Sequence, residues 1–192
     1  MGERNEGDGM TIRDLIFAED VESGVSEEEC RALAELAAER RVLEVGSWLG
    51  RSTIAMASRA SIVHAVDWHR GDPHSSYCAT LTTFRENLVR YDVLDRVVIH
   101  VGLNQDVLPA FAPGLFDLIF LDSFHERSAV ERDISLLRPL LRKGGTIAFH
   151  DYGRTLSYAG IPFGVTEAVD AFLAKEDLTF RVMESLAIVG TE

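Results

Sequence analysis

Hydrophobic positions fall into two alternating patterns along the chain. Short apolar runs at 41–45, 62–66, 97–101, 116–121 and 145–149 read as buried strands, since strands covered on both faces are apolar throughout. Between them, segments 51–60, 79–91, 104–111 and 126–141 read as helices. A further helix over 26–40 precedes the first strand: Ser26 followed by Glu29 forms a capping box, and Cys30, Leu33, Ala34, Leu36 and Ala37 give the apolar stripe. Strand and helix in strict alternation predict right-handed βαβ units, hence a Rossmann-like, doubly wound α/β fold with a mostly parallel sheet. After residue 163 the pattern predicts one more helix, 164–175, and strands at 178–183 and 185–189. Only Met183 to Ser185 lie between those two strands, so an antiparallel hairpin is expected at the C-terminal end. The irregular stretch YGRTLSYAGIPFG, from residue 152, is expected to form a flap over a site.

Composition narrows the classes of partner. The 192 residues suit one domain, expected over 11–192 behind a disordered N-terminus at 1–10. Net charge is −12, from 31 Asp and Glu against 19 Lys and Arg, which argues against nucleic acid and anionic membranes because both need a basic face. No apolar run approaches the ~20 residues that span a bilayer. The acidity favours a small ligand, either cationic or arriving with a metal. Cys30 and Cys78 form no CxxC pair and read as free thiols in a reducing compartment. The opening MGERNEGDGM is too acidic and polar for a targeting peptide, and the expected location is the cytoplasm.

In sheets of this kind ligands bind beyond the carboxyl ends of the strands, where the strand order reverses. Those ends carry Glu44 to Gly46, Asp67, Gly102, Asp122, and His150 with Asp151. The first strand runs into EVGSWLGRST, a glycine turn leading into a helix N-terminus, as in nucleotide sites. Trp48 occupies the position where a dinucleotide fingerprint needs glycine to approach a pyrophosphate, and no Lys-Ser/Thr pair makes a P-loop. The turn therefore suits a nucleoside without a diphosphate, approached closely at Gly46 and Gly50. About 20 residues on, Asp67 is placed to accept from a ribose diol; the alternative is a cap on the next turn. Trp68 and Asn104 are candidates to flank an adenine, or equally packing and turn residues.

EVGSWLGRST, VDW, FDLIFLDSFH and LLRKGGTIAFHDY together resemble the class I S-adenosylmethionine-dependent methyltransferases across residues 41–190. Within them the chain is most similar to small metal-dependent O-methyltransferases that methylate sugar hydroxyls of macrolide-type natural products. The resemblance implies a seven-stranded sheet ending in the antiparallel hairpin. It also implies S-adenosylmethionine contacts at Glu44, Gly46, Ser47 and Ser52, together with Asp67.

Asp122, His125, His150 and Asp151 end neighbouring strands of such a sheet and can converge. Asp122 is counted with both the cofactor and the metal residues. Two carboxylates with an imidazole suit a hard divalent cation such as Mg²⁺ or Mn²⁺. An acceptor hydroxyl must lose its proton as it attacks a methyl group, so a metal that lowers its pKa and a base beside it form a coherent set. Asp122 and Asp151 are assigned as metal ligands and His125 as general base. His150 stands where the sugar-methylating relatives carry an acid; it either ligates the metal or orients Asp151. The bland readings make Asp122 a helix cap, His125 a surface residue, Asp133 a solvated or capping group, and Glu126 and Glu131 a charged helix face. His64 and His100 read as satisfied core or edge histidines. His69 and His74 lie in a loop near the cofactor edge.

The expected activity is methyl transfer to a hydroxyl of a small acceptor, a sugar or natural product. The alternatives are a metal-independent N- or C-methyltransferase and a non-catalytic S-adenosylmethionine-binding partner protein. With little N-terminal material to cover a substrate, residues 11–40, the flap or a second subunit must do so, and a homodimer is one solution.

Overall fold

The computed structural model describes residues 15–73, 77–157, 160–176, 178 and 180–190. The stretch expected to be disordered, 1–10, lies outside the described residues, as does His74. Helix α1 (Glu27–Ala37) is followed by β1 (Arg41–Val45), α2 (Arg51–Ala57), β2 (Ile62–Asp67) and α3 (Leu81–Arg90). Then come β3 (Val97–Val101), α4 (Asn104–Val107), β4 (Phe116–Leu121), α5 (Arg127–Leu137), β5 (Leu141–Phe149), α6 (Val165–Glu176), β6 (Phe180–Met183) and β7 (Leu186–Gly190).

The seven strands form one sheet in the order β3-β2-β1-β4-β5-β7-β6. The pairs from β3 to β5 are parallel, and β7 runs antiparallel to both β5 and β6. The fold and its C-terminal hairpin are therefore those the alternation and the resemblance imply. Strand order reverses at β1, where Glu44 lies between Ala65 of β2 and Phe120 of β4.

Each face of the sheet is closed by its own apolar layer. Leu33, Ile54, Met56, Phe84 and Leu88 from α1, α2 and α3 cover Val63, Ala65 and Phe120 on one face. Ile134, Leu137, Val169 and Phe172 from α5 and α6 cover Val45, Val66, Ile119 and Phe149 on the other. Phe84, Phe116, Phe120 and Phe149 are completely buried, and burial of one such side chain is worth about 1.5–3 kcal/mol. The two layers hold the strand ends, and the loops leaving them, in fixed relation. No helix among the described residues is long and apolar enough to cross a membrane.

Candidate functional site

The loop after β1 is shaped by contacts that tolerate little change. Gly46 has φ +89, and a Cβ there would lie 2.0 Å from the Asp122 carbonyl oxygen. The loop backbone turns onto Asp67: Ser47 and Trp48 N–H both donate to Oδ2 at 2.9 Å, and His69 N–H donates to Oδ1 at 2.6 Å. Asp67 thus fastens the glycine loop to the end of β2 while facing the cleft. Gly50, at φ +98, starts α2 where an added Cβ would meet the Phe84 ring at 3.0 Å.

A cleft of about 610 Å³ opens beyond these strand ends, within the range of small-molecule sites. Gly46, Ser47, Gly50, Ser52, Asp67, Trp68, Asn104, Asp122, His125, His150 and Asp151 all line it. Glu44 does not. It is fully buried behind the loop, where it accepts from Ser52 Oγ at 2.6 Å and from Thr53 Oγ1. Burial pushes its pKa up to about 7 against those hydrogen bonds, so Glu44 anchors the start of α2 rather than touching the cleft. Trp68 turns its indole N–H to the Gly71 carbonyl at 2.9 Å.

The acid and histidine residues do converge, in an arrangement the sequence left open. Asp122, His125 and Asp151 offer ligand atoms within 4.8 Å of one another. His125 Nε2 lies 3.0 Å from Asp151 Oδ2 and 3.6 Å from Asp122 Oδ1. His150, expected among the metal ligands or as an orienting group, has carboxylates at both ring nitrogens. Nε2 lies 3.2 Å from Glu29 Oε2, and Nδ1 lies 3.2 Å from Asp122 Oδ1 and 3.5 Å from Asp151 Oδ1. Asp122, His125 and Asp151 form the converging set, and His150 meets the same two aspartates through Nδ1 while its Nε2 faces Glu29.

Electrostatics follow from that packing. Burial lowers the pKa of His125, but its hydrogen bonds to the Asp122 and Asp151 carboxylates, with their charge, outweigh it and raise the value to about 9. His150 is raised well above the ordinary imidazole value by Asp122, Asp151 and Glu29 against its burial. Burial opposes ionisation of Asp122 and Asp151, yet the charge of His150 on Asp122 and the hydrogen bond of His125 to Asp151 hold both below the usual range.

Several residues of the site escaped the sequence reading. Glu29 reaches it from α1, Asp72 Oδ2 stands 4.0 Å from His125 Nδ1, and Arg154 Nη1 lies 3.2 Å from Asp151 Oδ1. The flap doubles back on itself: Phe163 N–H donates to Thr155 and Ser157 N–H to Ile161, both at 2.9 Å. This folding lays Phe163 over the His125 ring, with centroids 4.5 Å apart and planes inclined by 19°.

Asp133 is not the solvated or capping group that was expected. It is fully buried on α5, where Oδ2 accepts from Asn104 Nδ2 at 2.7 Å and from Ser123 Oγ at 2.9 Å. Its stripe mates Val130, Ile134 and Leu137 carried the signal, since Asp133 falls on the same helical face. Glu131 pairs with Arg127 on the exposed face. His64 and His100 meet each other across neighbouring strands, Nδ1 to Nε2 at 3.1 Å, against Phe111 and Phe116. His69 is buried on Thr80 Oγ1 at 2.8 Å, behind the cleft-lining Asp67 and Thr80.

Comparison with known proteins meets this geometry on the same residues. Residues 43–152 match the family model described as a methyltransferase domain. A catechol O-methyltransferase of Mycobacterium tuberculosis is 36% identical over 122 residues, 58% of this chain and 53% of that protein. The chain thus spans about half the length of this curated relative. Cofactor-bound Rv0187 from MTB has a TM-score of 0.68 at 25% identity, covering 94% of this chain and 86% of that one. The O-methyltransferase TomG from Streptomyces achromogenes, solved in complex with SAM, has a TM-score of 0.64 at 21% identity, covering 91% and 83%, a likeness of fold. The family match spans more than half of the chain and takes in the glycine loop, Asp67 and the strand ends from Asp122 to Asp151, so the chain belongs to the methyltransferase-domain family.

Proposed function

We propose that the protein is an S-adenosylmethionine-dependent O-methyltransferase, assisted by a divalent cation, that methylates a hydroxyl of a small acceptor. The observation that carries this reading is the convergence of Asp122, His125 and Asp151 on the cleft that also holds the glycine loop and Asp67. Names among the relatives agree with O-methyl transfer: a catechol O-methyltransferase in sequence, and TomG in fold.

In this reading Gly46, Gly50 and Asp67 receive the nucleoside, and the acidic strand ends favour a cationic sulfonium. The two carboxylates fit a hard cation such as Mg²⁺ or Mn²⁺, with Asp122 and Asp151 as its holders and the His125 imidazole beside them left as the base. A cation there would lower the pKa of the acceptor hydroxyl and fix its position. The acceptor oxygen forms its bond to the methyl carbon as the carbon–sulfur bond breaks, leaving the thioether, and the hydroxyl proton passes to His125. His125 must begin that step neutral, and the carboxylates that now hold it protonated are the pair a cation would occupy. Phe163, stacked on the ring, keeps the imidazole in place and shields it from water. Leu156 and Phe163, from the flap beside His125, give this part of the cleft an apolar lining, which favours a flat hydroxylated acceptor over a sugar.

Titration calorimetry with S-adenosylhomocysteine, with and without Mg²⁺, tests both parts. Binding of the nucleoside with metal-dependent turnover of a phenolic acceptor panel is expected. Absence of nucleoside binding would overturn the cofactor reading, and full activity after chelation would overturn the metal.

A further inference from the structure

The wall of the cleft formed by the ends of β3 and β4 has a buried support that the reaction itself does not use. Asn104 and Ser123 both line the cleft, and Asp133 lies behind them at no exposure. The Asn104 amide nitrogen donates to Asp133 Oδ2 at 2.7 Å and to Ser123 Oγ at 3.2 Å. Ser123 Oγ in turn donates to the same Asp133 oxygen at 2.9 Å. A carboxamide has two N–H donors and one carbonyl acceptor. With both donors turned inward, the carbonyl oxygen is what Asn104 has left to offer the cleft.

An asparagine alone could present either end of its amide, and a buried carboxylate removes that freedom. An ionised carboxylate accepts and cannot donate, so the flipped amide would set carbonyl oxygen against a fully buried carboxylate oxygen. Such a clash costs more than the bond it replaces. The second Asp133 oxygen faces Arg132 Nε at 3.7 Å, which supports the negative charge from the far side.

We infer that Asp133 is a positioning residue that locks the Asn104 carbonyl oxygen toward the cleft, so that this wall selects a nucleoside whose base carries an exocyclic amine and rejects one carrying an oxo group. The inference rests on the nucleoside reading above and adds to it a residue that sets base specificity without touching the base. A 6-amino group donates to the carbonyl; a 6-oxo group would face it lone pair to lone pair. The discrimination is expected at about 10²-fold, the scale of a buried polar group left unpaired.

The test is titration calorimetry of the wild type, Asp133→Asn and Asp133→Leu with S-adenosylhomocysteine and S-inosylhomocysteine. The wild type is expected to prefer the adenosyl ligand by about 10²-fold. In either variant the Asn104 amide can turn over, and the preference is expected to fall to about 10-fold or less. A purely structural role for Asp133 would weaken both ligands together and leave their ratio unchanged. That outcome in a folded variant overturns the inference. So does a wild type that binds both ligands equally, whether or not the variants fold. Failure of the wild type to bind S-adenosylhomocysteine at all would instead overturn the cofactor reading and the inference with it.

Discussion

Glu29 Oε2 lies 3.2 Å from His150 Nε2, so the capping residue of the first helix is also a buried partner of the site. The same carboxylate accepts from Ser26 N–H at 2.9 Å to close the capping box, and from Ser185 N–H and Oγ at 3.0 and 2.7 Å. Three segments far apart in sequence, α1, the end of β5 and the β6–β7 turn, are thereby joined on one side chain. His150 passes the connection on to Asp122 and Asp151.

Glu29→Ala leaves His150 buried without one of its carboxylates and is expected to cost about 3–5 kcal/mol. Glu29→Gln keeps the capping box, because Gln serves at that position, but loses the charge. Its expected cost is smaller, roughly half of that, and comes from the ion pair. Urea unfolding of the two variants measures both. Equal stability of Glu29→Gln and the wild type would show that the pair contributes nothing.

That contact also gives stability a pH window. Burial works to raise the Glu29 pKa, but His150, Ser185 and Ser26 bring it from 4.5 down to about 2. A depressed carboxylate stabilises the fold above its unfolded pKa, and the contribution is lost as pH falls from 4.5 toward 2. His150 shifts upward, so its contribution is complete below about 6.5 and is lost only as pH rises through its folded value. The Glu29 shift is worth roughly 3 kcal/mol and counts the Glu29–His150 contact once, while the larger part of the His150 shift belongs to Asp122 and Asp151. Unfolding free energy is expected to fall steeply below pH ~4.5 in the wild type. In Glu29→Gln that slope is expected to be shallower.

The strand ends were legible because two simple rules placed them: buried parallel strands are apolar throughout, and ligands sit where strand order reverses. β5 begins at Leu141, four residues before the apolar run, since Arg142 to Gly144 are exposed and the pairing with β4 shifts register there. Pro109 divides the segment 104–111 into α4 and a 3₁₀ turn. Within the site, Asp67, Asp122 and Asp151 could be read from their strands. Glu29 could not, being 121 residues from His150 and carrying a complete local explanation as a cap. Asp72, Arg154 and Phe163 reach the cleft from loops, whose path no periodicity records.

Gly46 tests how closely the cofactor loop approaches β4. Gly46→Ala puts a methyl 2.0 Å from a backbone carbonyl and keeps a positive φ, so the loop must move. The expected cost is about 2–5 kcal/mol with loss of S-adenosylhomocysteine binding. Gly144 gives the control: its φ is +72, but nothing lies within 4 Å of its added Cβ. Gly144→Ala is expected to cost only about 1–2 kcal/mol of backbone strain and to leave binding intact. Thermal unfolding and calorimetry separate the two.

His125 gives the most direct test of the chemistry. Asp122 and Asp151 hold its pKa at about 9, so in the metal-free protein around pH 8 the ring carries its proton. A divalent cation at those two carboxylates withdraws the interactions that raise it, and His125 should then release that proton. Calorimetric titration with Mg²⁺ around pH 8, in two buffers of different ionisation enthalpy, is expected to show release approaching one proton per cation. His125→Ala should remove the larger part of that release, since Glu29 still holds the His150 proton, and lower turnover by ~10²–10⁴ while S-adenosylhomocysteine still binds. Undiminished proton release in the variant would assign the titrating group elsewhere, and unchanged turnover would remove His125 from the proton transfer. Phe163→Ala frees the same ring without removing it, so it should lower turnover less and preserve the proton release.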